Sequence, residues 1–189
     1  ETASRLQQIF NLPEERISVH YELVDSQALN VEAAQKQAIS LRAQLGIPSD
    51  AFVITACGAC NQRKAPDLFI QFAYQLKQLM GPRQPVYFLW VGQFMMADLM
   101  QNVFRDIVKS GMQGEVLFIN EVPSAHGLMA IGDLFCLPSR EDPFPLVLLE
   151  AAFMEKPILC FDKSGGAPEF CALTGLTPSP YLDLTHMSA

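Results

Sequence analysis

The chain is 189 residues long, half of them apolar, with a formal net charge of −7. That length suits one domain with a sizeable core, and the acidic balance excludes a non-specific nucleic-acid binder, which needs a broad basic surface. No apolar run reaches the roughly 18 residues that a membrane-spanning helix requires.

Taken in chain order, residues 2–11 read as a short helix stopped at Leu12-Pro13, and Arg16 to Tyr21 alternates as a strand. Val31, Ala34, Ala38, Leu41 and Leu45 fall at helical spacing, and Gly46 and Pro48 end that helix. A regular rhythm follows. Strands are expected at Ala51–Cys57, Val86–Val91, Val116–Ile119, Leu134–Leu137 and Pro157–Phe161. Helices are expected at Pro66–Met80, Phe94–Lys109, Ser124–Ile131, Leu146–Met154 and Ala167–Leu173. This alternation predicts an α/β fold, a Rossmann-like parallel sheet with helices on both faces. Several strands are apolar throughout, as sheets buried on both sides are. Residues 1–30 stand outside the repeat and read as the tail of a preceding domain or an interdomain linker. Residues 31–189 read as one nucleotide-binding domain cut at its C-terminal end, with no closing helix.

Ligands of such sheets bind beyond the carboxyl ends of the strands, so the strand-to-helix turns carry the chemistry. The turn after the first strand, Cys57 to Pro66, is neither GxGxxG nor GxxxxGK[ST], which argues against a dinucleotide site and a P-loop. It offers Arg63 and Lys64 instead. Cations oppose the dipole at a helix start, so a basic pair there points to a diphosphate. The second turn, Ser139 to Pro145, leads into an apolar helix, and its Asp142 precedes Glu150 by eight residues. Carboxylates at a phosphate site repel the phosphate, so Asp142 and Glu150 are matched to sugar and ribose hydroxyls. A third turn, Asp162 to Glu169, carries paired glycines that allow close backbone approach. Cys57 and Cys60 form a CxxC without the second ligand pair a zinc site needs, so they read as structural thiols. His20, His126 and His186 have no partner motif. His126 lies within reach of the sheet mouth, but a capping or surface role is the plainer reading.

In order, these turns give Arg63-Lys64-Ala65, Leu89-Trp90-Val91-Gly92, Pro138 through Ala151, and Gly165-Gly166-Ala167-Pro168-Glu169. Together they resemble the C-terminal, donor-binding half of a retaining GT-B glycosyltransferase of family four (glycosyl transferases group 1), over roughly residues 50–175. The departures are specific. Asp142 stands where the family has glutamate, Pro145 and Ala65 where it has glycine, and Ala59 where an arginine often follows the first glycine. The resemblance implies that Lys64 and Arg63 hold the donor diphosphate and that Asp142 and Glu150 form the catalytic carboxylate pair. Asp142 would orient the transferred sugar and Glu150 would accept from the ribose. Phe144, Pro145 and Leu146 would border sugar and phosphates, and Ile119, Asn120, Glu121 and Val122 the nucleobase.

The resemblance further implies a nucleotide-sugar as donor substrate, no metal and no other cofactor. It places the acceptor on an N-terminal domain of the same chain, which would also make any membrane contact, peripheral at the inner membrane face. Alone, the 189 residues are expected to be inactive. Five cysteines, an odd number lying mostly in apolar runs, fit reduced thiols in the cytoplasm. Competing readings are a GT-B-like sugar-nucleotide epimerase, a degenerate non-catalytic copy of the domain, and a receiver-like signalling domain. The last would need acidic residues after the first strand, where Cys57-Gly58-Ala59-Cys60 supplies none.

Overall fold

A computed structural model describes residues 2–25, 29–81 and 84–188. Five strands, β1 (Phe52–Cys57), β2 (Val86–Val91), β3 (Val116–Ile119), β4 (Leu134–Leu137) and β5 (Ile158–Cys160), form one parallel sheet in the order β3-β2-β1-β4-β5. Eight α-helices occur among the described residues: α1 (Thr2–Phe10), α2 (Val31–Gln44), α3 (Pro66–Met80), α4 (Ala97–Lys109), α5 (His126–Ala130), α6 (Leu146–Phe153), α7 (Gly166–Thr174) and α8 (Leu184–Ser188).

Successive strand side chains point to opposite faces, and each face is apolar. Ile54 and Ala56 of β1, with Phe88 and Trp90 of β2, pack under α3, α4 and α8 through Phe69, Phe72, Val103, Ile107 and Met187. Val53, Leu89 and Val91 pack under α2 and α5 through Ala38, Leu128 and Ile131. Phe135 and Leu137 of β4 meet Leu148 and Ala151 of α6 and Ala167 and Cys171 of α7. The sheet is thus covered on both faces, which is why its strands show no polar alternation.

The sheet has a switch point. From β1 the chain moves outward through β2 to β3, then returns to the other side of β1 as β4. The turns that leave β1 and β4 therefore meet at the carboxyl edge, the position at which open α/β sheets bind their ligands.

Three local expectations are corrected. Arg16 to Tyr21 is not a strand: a 3-10 turn at Glu14–Arg16 is followed by chain without regular structure. That stretch pairs with no strand of the sheet, and a strand needs a neighbour for its backbone groups. The fourth helix begins at Ala97 rather than Phe94, because Phe94 still bridges to Cys60 and the Met95 amide donates to the Cys60 carbonyl. The chain also does carry a final short helix, α8, whose His186 amide donates to Asp183 Oδ1 at 2.9 Å and whose Met187 is buried against the α3 face. Five residues are too few for helical periodicity to register.

Candidate functional site

The turn after β1 is pressed against its neighbours by backbone contacts that admit no side chain. Gly92, after β2, has φ +151°, and a Cβ there would lie 2.1 Å from the Gly58 carbonyl oxygen. That same oxygen accepts from the Trp90 indole at 2.8 Å. The turn after β4 is tied to the third turn in the same way. Asp142 pairs with Gly165 as a parallel bridge, the Asp142 amide donates to the Ser164 carbonyl at 2.6 Å, and the Gly166 amide donates to the Asp142 carbonyl at 2.9 Å. A Cβ on Gly165, at φ +109°, would lie 2.0 Å from that Asp142 oxygen. The paired glycines are therefore needed for contact between two turns.

The first and second turns are joined by Arg140. Its amide donates to the Arg63 carbonyl at 2.8 Å, and its guanidinium forks onto both Asp67 carboxylate oxygens at 2.9 and 2.6 Å. Burial alone would raise the Asp67 pKa, but the hydrogen bonds and charge of Arg140 outweigh it and hold this carboxyl below its usual range. The clamp was not legible in the sequence, since Asp67 and Arg140 are far apart along the chain and no local pattern pairs them.

The clamp holds three of the expected site residues together. Lys64 Nζ forms a hydrogen-bonded ion pair with Asp142 Oδ2. Arg63 Nη1 lies 3.2 Å from Asp142 Oδ1 and donates to the Glu141 carbonyl at 3.0 Å. Asp142 is only 4% exposed, as a buried carboxylate can be when it is paired. Its partners are cations, a contact the sequence reading did not foresee. Ala65, following Lys64, sits in the left-handed region at φ 59° and caps α3, the conformation for which glycine is the unstrained choice.

Glu150 lies in the second turn of α6 with its side chain about a quarter exposed. His126 Nε2, from the start of α5, is 3.7 Å from Glu150 Oε2, beyond hydrogen-bond distance but within ion-pair reach when the imidazole is protonated. Cys57 senses both charge clusters. Burial first, then the Glu150 carboxylate, push its thiol up to about 11, against the opposing effect of Lys64. Both Lys64 and Glu150 thus act on Cys57, the last residue of β1. Cys60 is fully buried and raised to about 12 by burial and by Cys57. A thiol so far from ionisation is a poor nucleophile or ligand. Among the described residues, no group of three or more His, Cys, Asp or Glu side chains is placed to hold a metal.

Phe144 stacks at a tilt on Tyr21, ring centroids 5.3 Å apart. The two border a cavity of about 600 Å³ whose lining includes His20, Arg140, Glu141, Lys163, Gly165 and Gly166. Pro145 caps α6 with extended backbone, its carbonyl accepting from the Leu148 amide at 3.0 Å, and the partly exposed Leu146 opens that helix. Further along the same edge Ile119 ends β3, and Asn120, Glu121 and Val122 line an open groove with Gln93 and Pro123.

A parallel sheet covered on both faces, with its switch point beside β1, defines a Rossmann-like α/β fold of GT-B type. Residues 37–174 match the family "Glycosyl transferases group 1", and the chain belongs to it. It is 31% identical over 138 residues to the alpha-galactosylglucosyldiacylglycerol synthase of Streptococcus pneumoniae, covering 68% of this chain and 33% of that protein. The crystal structure of Anabaena HepE in complex with UDP and glucose superposes with a TM-score of 0.73 at 25% identity, over 89% of this chain and 44% of that one. WaaG, a glycosyltransferase involved in lipopolysaccharide biosynthesis, shares the fold with a TM-score of 0.81 at 20% identity, over 98% of this chain and 49% of that one. The chain spans between 33% and 39% of the length of the curated relatives it matches.

Proposed function

We propose that this chain is the donor half of a retaining glycosyltransferase that moves a sugar from a nucleotide-sugar to an acceptor held mainly by an N-terminal domain. The observation that carries the reading is the grouping of Arg63, Lys64 and Asp142 where the turns after β1 and β4 meet, with Glu150 on the helix that follows. Arg63 and Lys64 bind the diphosphate and stabilise its charge as it leaves, so the chemistry needs no metal. Glu150 accepts from the ribose hydroxyls, and Asp142 orients the sugar. The backbone from Phe144 to Leu146 borders the sugar and phosphates, and the groove at Ile119 to Val122 receives the nucleobase.

Two further features support the reading. The HepE structure, a complex with UDP and glucose, matches at 25% identity. Two of the curated relatives are named for a glycosyldiacylglycerol and for O-antigen biosynthesis, which fits a glycoconjugate acceptor. No helix among the described residues is long and apolar enough to cross a membrane, and we assign any membrane contact to the N-terminal domain.

A thermal-shift panel with UDP, GDP and ADP, their glucose or mannose conjugates and the free nucleosides tests the reading. Stabilisation grows with ligand concentration over its dissociation constant. One base is expected to rank first, with its diphosphate stabilising far more than its nucleoside. A panel without any saturable shift would remove the donor-binding assignment.

A further inference from the structure

The most unusual feature of the site is that its phosphate-binding cations are already occupied. Asp142 is fixed: both its backbone polar groups are bonded to the third turn, and its side chain is 6% exposed. The cations sit on longer, unbranched side chains, Arg63 exposed at 43% and Lys64 mostly covered at 12% exposure. Lys64 reaches Asp142 by passing over Gly58, where a Cβ would come within 3.4 Å of Lys64 Cε. A phosphate bound at these turns must therefore take Lys64 and Arg63 from a carboxylate that cannot leave with them.

We propose that Asp142 is the resident counter-ion of the diphosphate site and that it disfavours free nucleoside diphosphate relative to the nucleotide-sugar. The inference rests on the assignment of Lys64 and Arg63 to the diphosphate. In the donor the terminal phosphate is esterified and carries one charge. In the released product it has a second ionisation near pH 6 and gains further negative charge. A fixed carboxylate repels the more highly charged product more strongly, while donor binding frees the same carboxylate for the sugar hydroxyls. Asp142 thus links the exchange of cations from carboxylate to phosphate with recognition of the sugar, and it limits retention of the product.

The test uses the first-ranked diphosphate of the thermal-shift panel and its sugar conjugate, for example UDP and UDP-glucose, in calorimetry. Asp142→Asn keeps the shape and removes the charge. It is expected to bind UDP about tenfold tighter than wild type, since a like charge within a few ångströms of a phosphate outweighs that factor when partly desolvated. Its affinity for UDP-glucose is expected to rise less or to fall. Asp142→Glu, which keeps the charge, should stay near the wild-type ratio of the two affinities. UDP binding that is unchanged or weaker in a folded Asp142→Asn protein would overturn the proposal.

Should that variant not fold, a crystal structure of the wild-type chain with UDP decides the matter. Lys64 Nζ is expected on a phosphate oxygen and out of contact with Asp142, and a Lys64 that stays on Asp142 with UDP bound would overturn the proposal. The two levels fail differently. Lys64→Ala leaving UDP affinity intact removes the diphosphate assignment itself. Lys64-dependent binding that is indifferent to Asp142→Asn removes only the counter-ion role.

Discussion

Glu150 is the residue whose chemistry is most open to a direct check. It is a carboxylate on an otherwise apolar helix, half a turn from the buried Leu148 and next to the buried Ala151, and a partly buried charge there needs partners. Wild type is expected to prefer a ribonucleoside diphosphate over its 2′-deoxy form, and Glu150→Gln to lose most of that preference, about 1.5–3 kcal/mol for a hydrogen bond to a charged group. Calorimetry with both sugars checks it. Equal wild-type affinities would make Glu150 structural, paired with His126. At this scale the sequence was legible where a residue type contradicts its surroundings. Arg63 and Lys64 oppose a helix dipole, and Glu150 interrupts an apolar run. It was not legible where a partner comes from elsewhere in the chain. His126 carried no pairing signal of its own, and the Asp142 carboxylate, read as facing hydroxyls, meets Lys64 and Arg63. Such pairings depend on strand order, which no local pattern encodes.

The elements that matter most are the three turns, and two features hold them in register. The first is the Arg140–Asp67 fork between the second turn and the start of α3. Because the folded-state pKa of Asp67 is depressed, its contribution to stability is fully present above the ordinary carboxyl pKa of about 3.9 and is lost as pH falls through the lower folded value. Arg140 is about a third exposed, so solvent screening limits the fork to about 1 kcal/mol. Asp67→Asn is expected to lower the melting temperature at pH 7 and to narrow its gap from wild type as the pH drops below 4. A gap independent of pH would assign the loss to packing. The second feature is the approach of Gly165 to the Asp142 carbonyl. Gly165→Ala places a Cβ at φ +109° and 2.0 Å from that oxygen, so the two turns must separate. The expected cost is more than about 2 kcal/mol of stability, with diphosphate binding weakened as Asp142 shifts, measured by denaturant melts and calorimetry. The five strands and the longer helices followed from hydrophobic rhythm alone, because apolar residues line both sheet faces. The Arg16–Tyr21 stretch misled because alternation there has no neighbouring strand to satisfy it, and α8 was too short to register.

For the molecule as a whole, the two faces of the sheet supply the rigidity and one edge gathers the candidate site residues. A GT-B transferase completes its site across an interdomain cleft, where closure orients the reactants and excludes water. The chain spans about a third of the length of its curated relatives, and the 189 residues alone are expected to bind a nucleotide-sugar without transferring the sugar. Product formation by the purified chain above background, followed by chromatography of a labelled donor, would contradict that division of labour. The claim on which everything else depends is that the meeting point of the turns after β1 and β4 holds a diphosphate through Lys64. Calorimetric titration of wild type and Lys64→Ala with the best-ranked diphosphate and with its free nucleoside tests it most directly. A loss of about 1.5–3 kcal/mol is expected for the diphosphate and little change for the nucleoside, whereas equal losses for both ligands, or none for either, would contradict that claim.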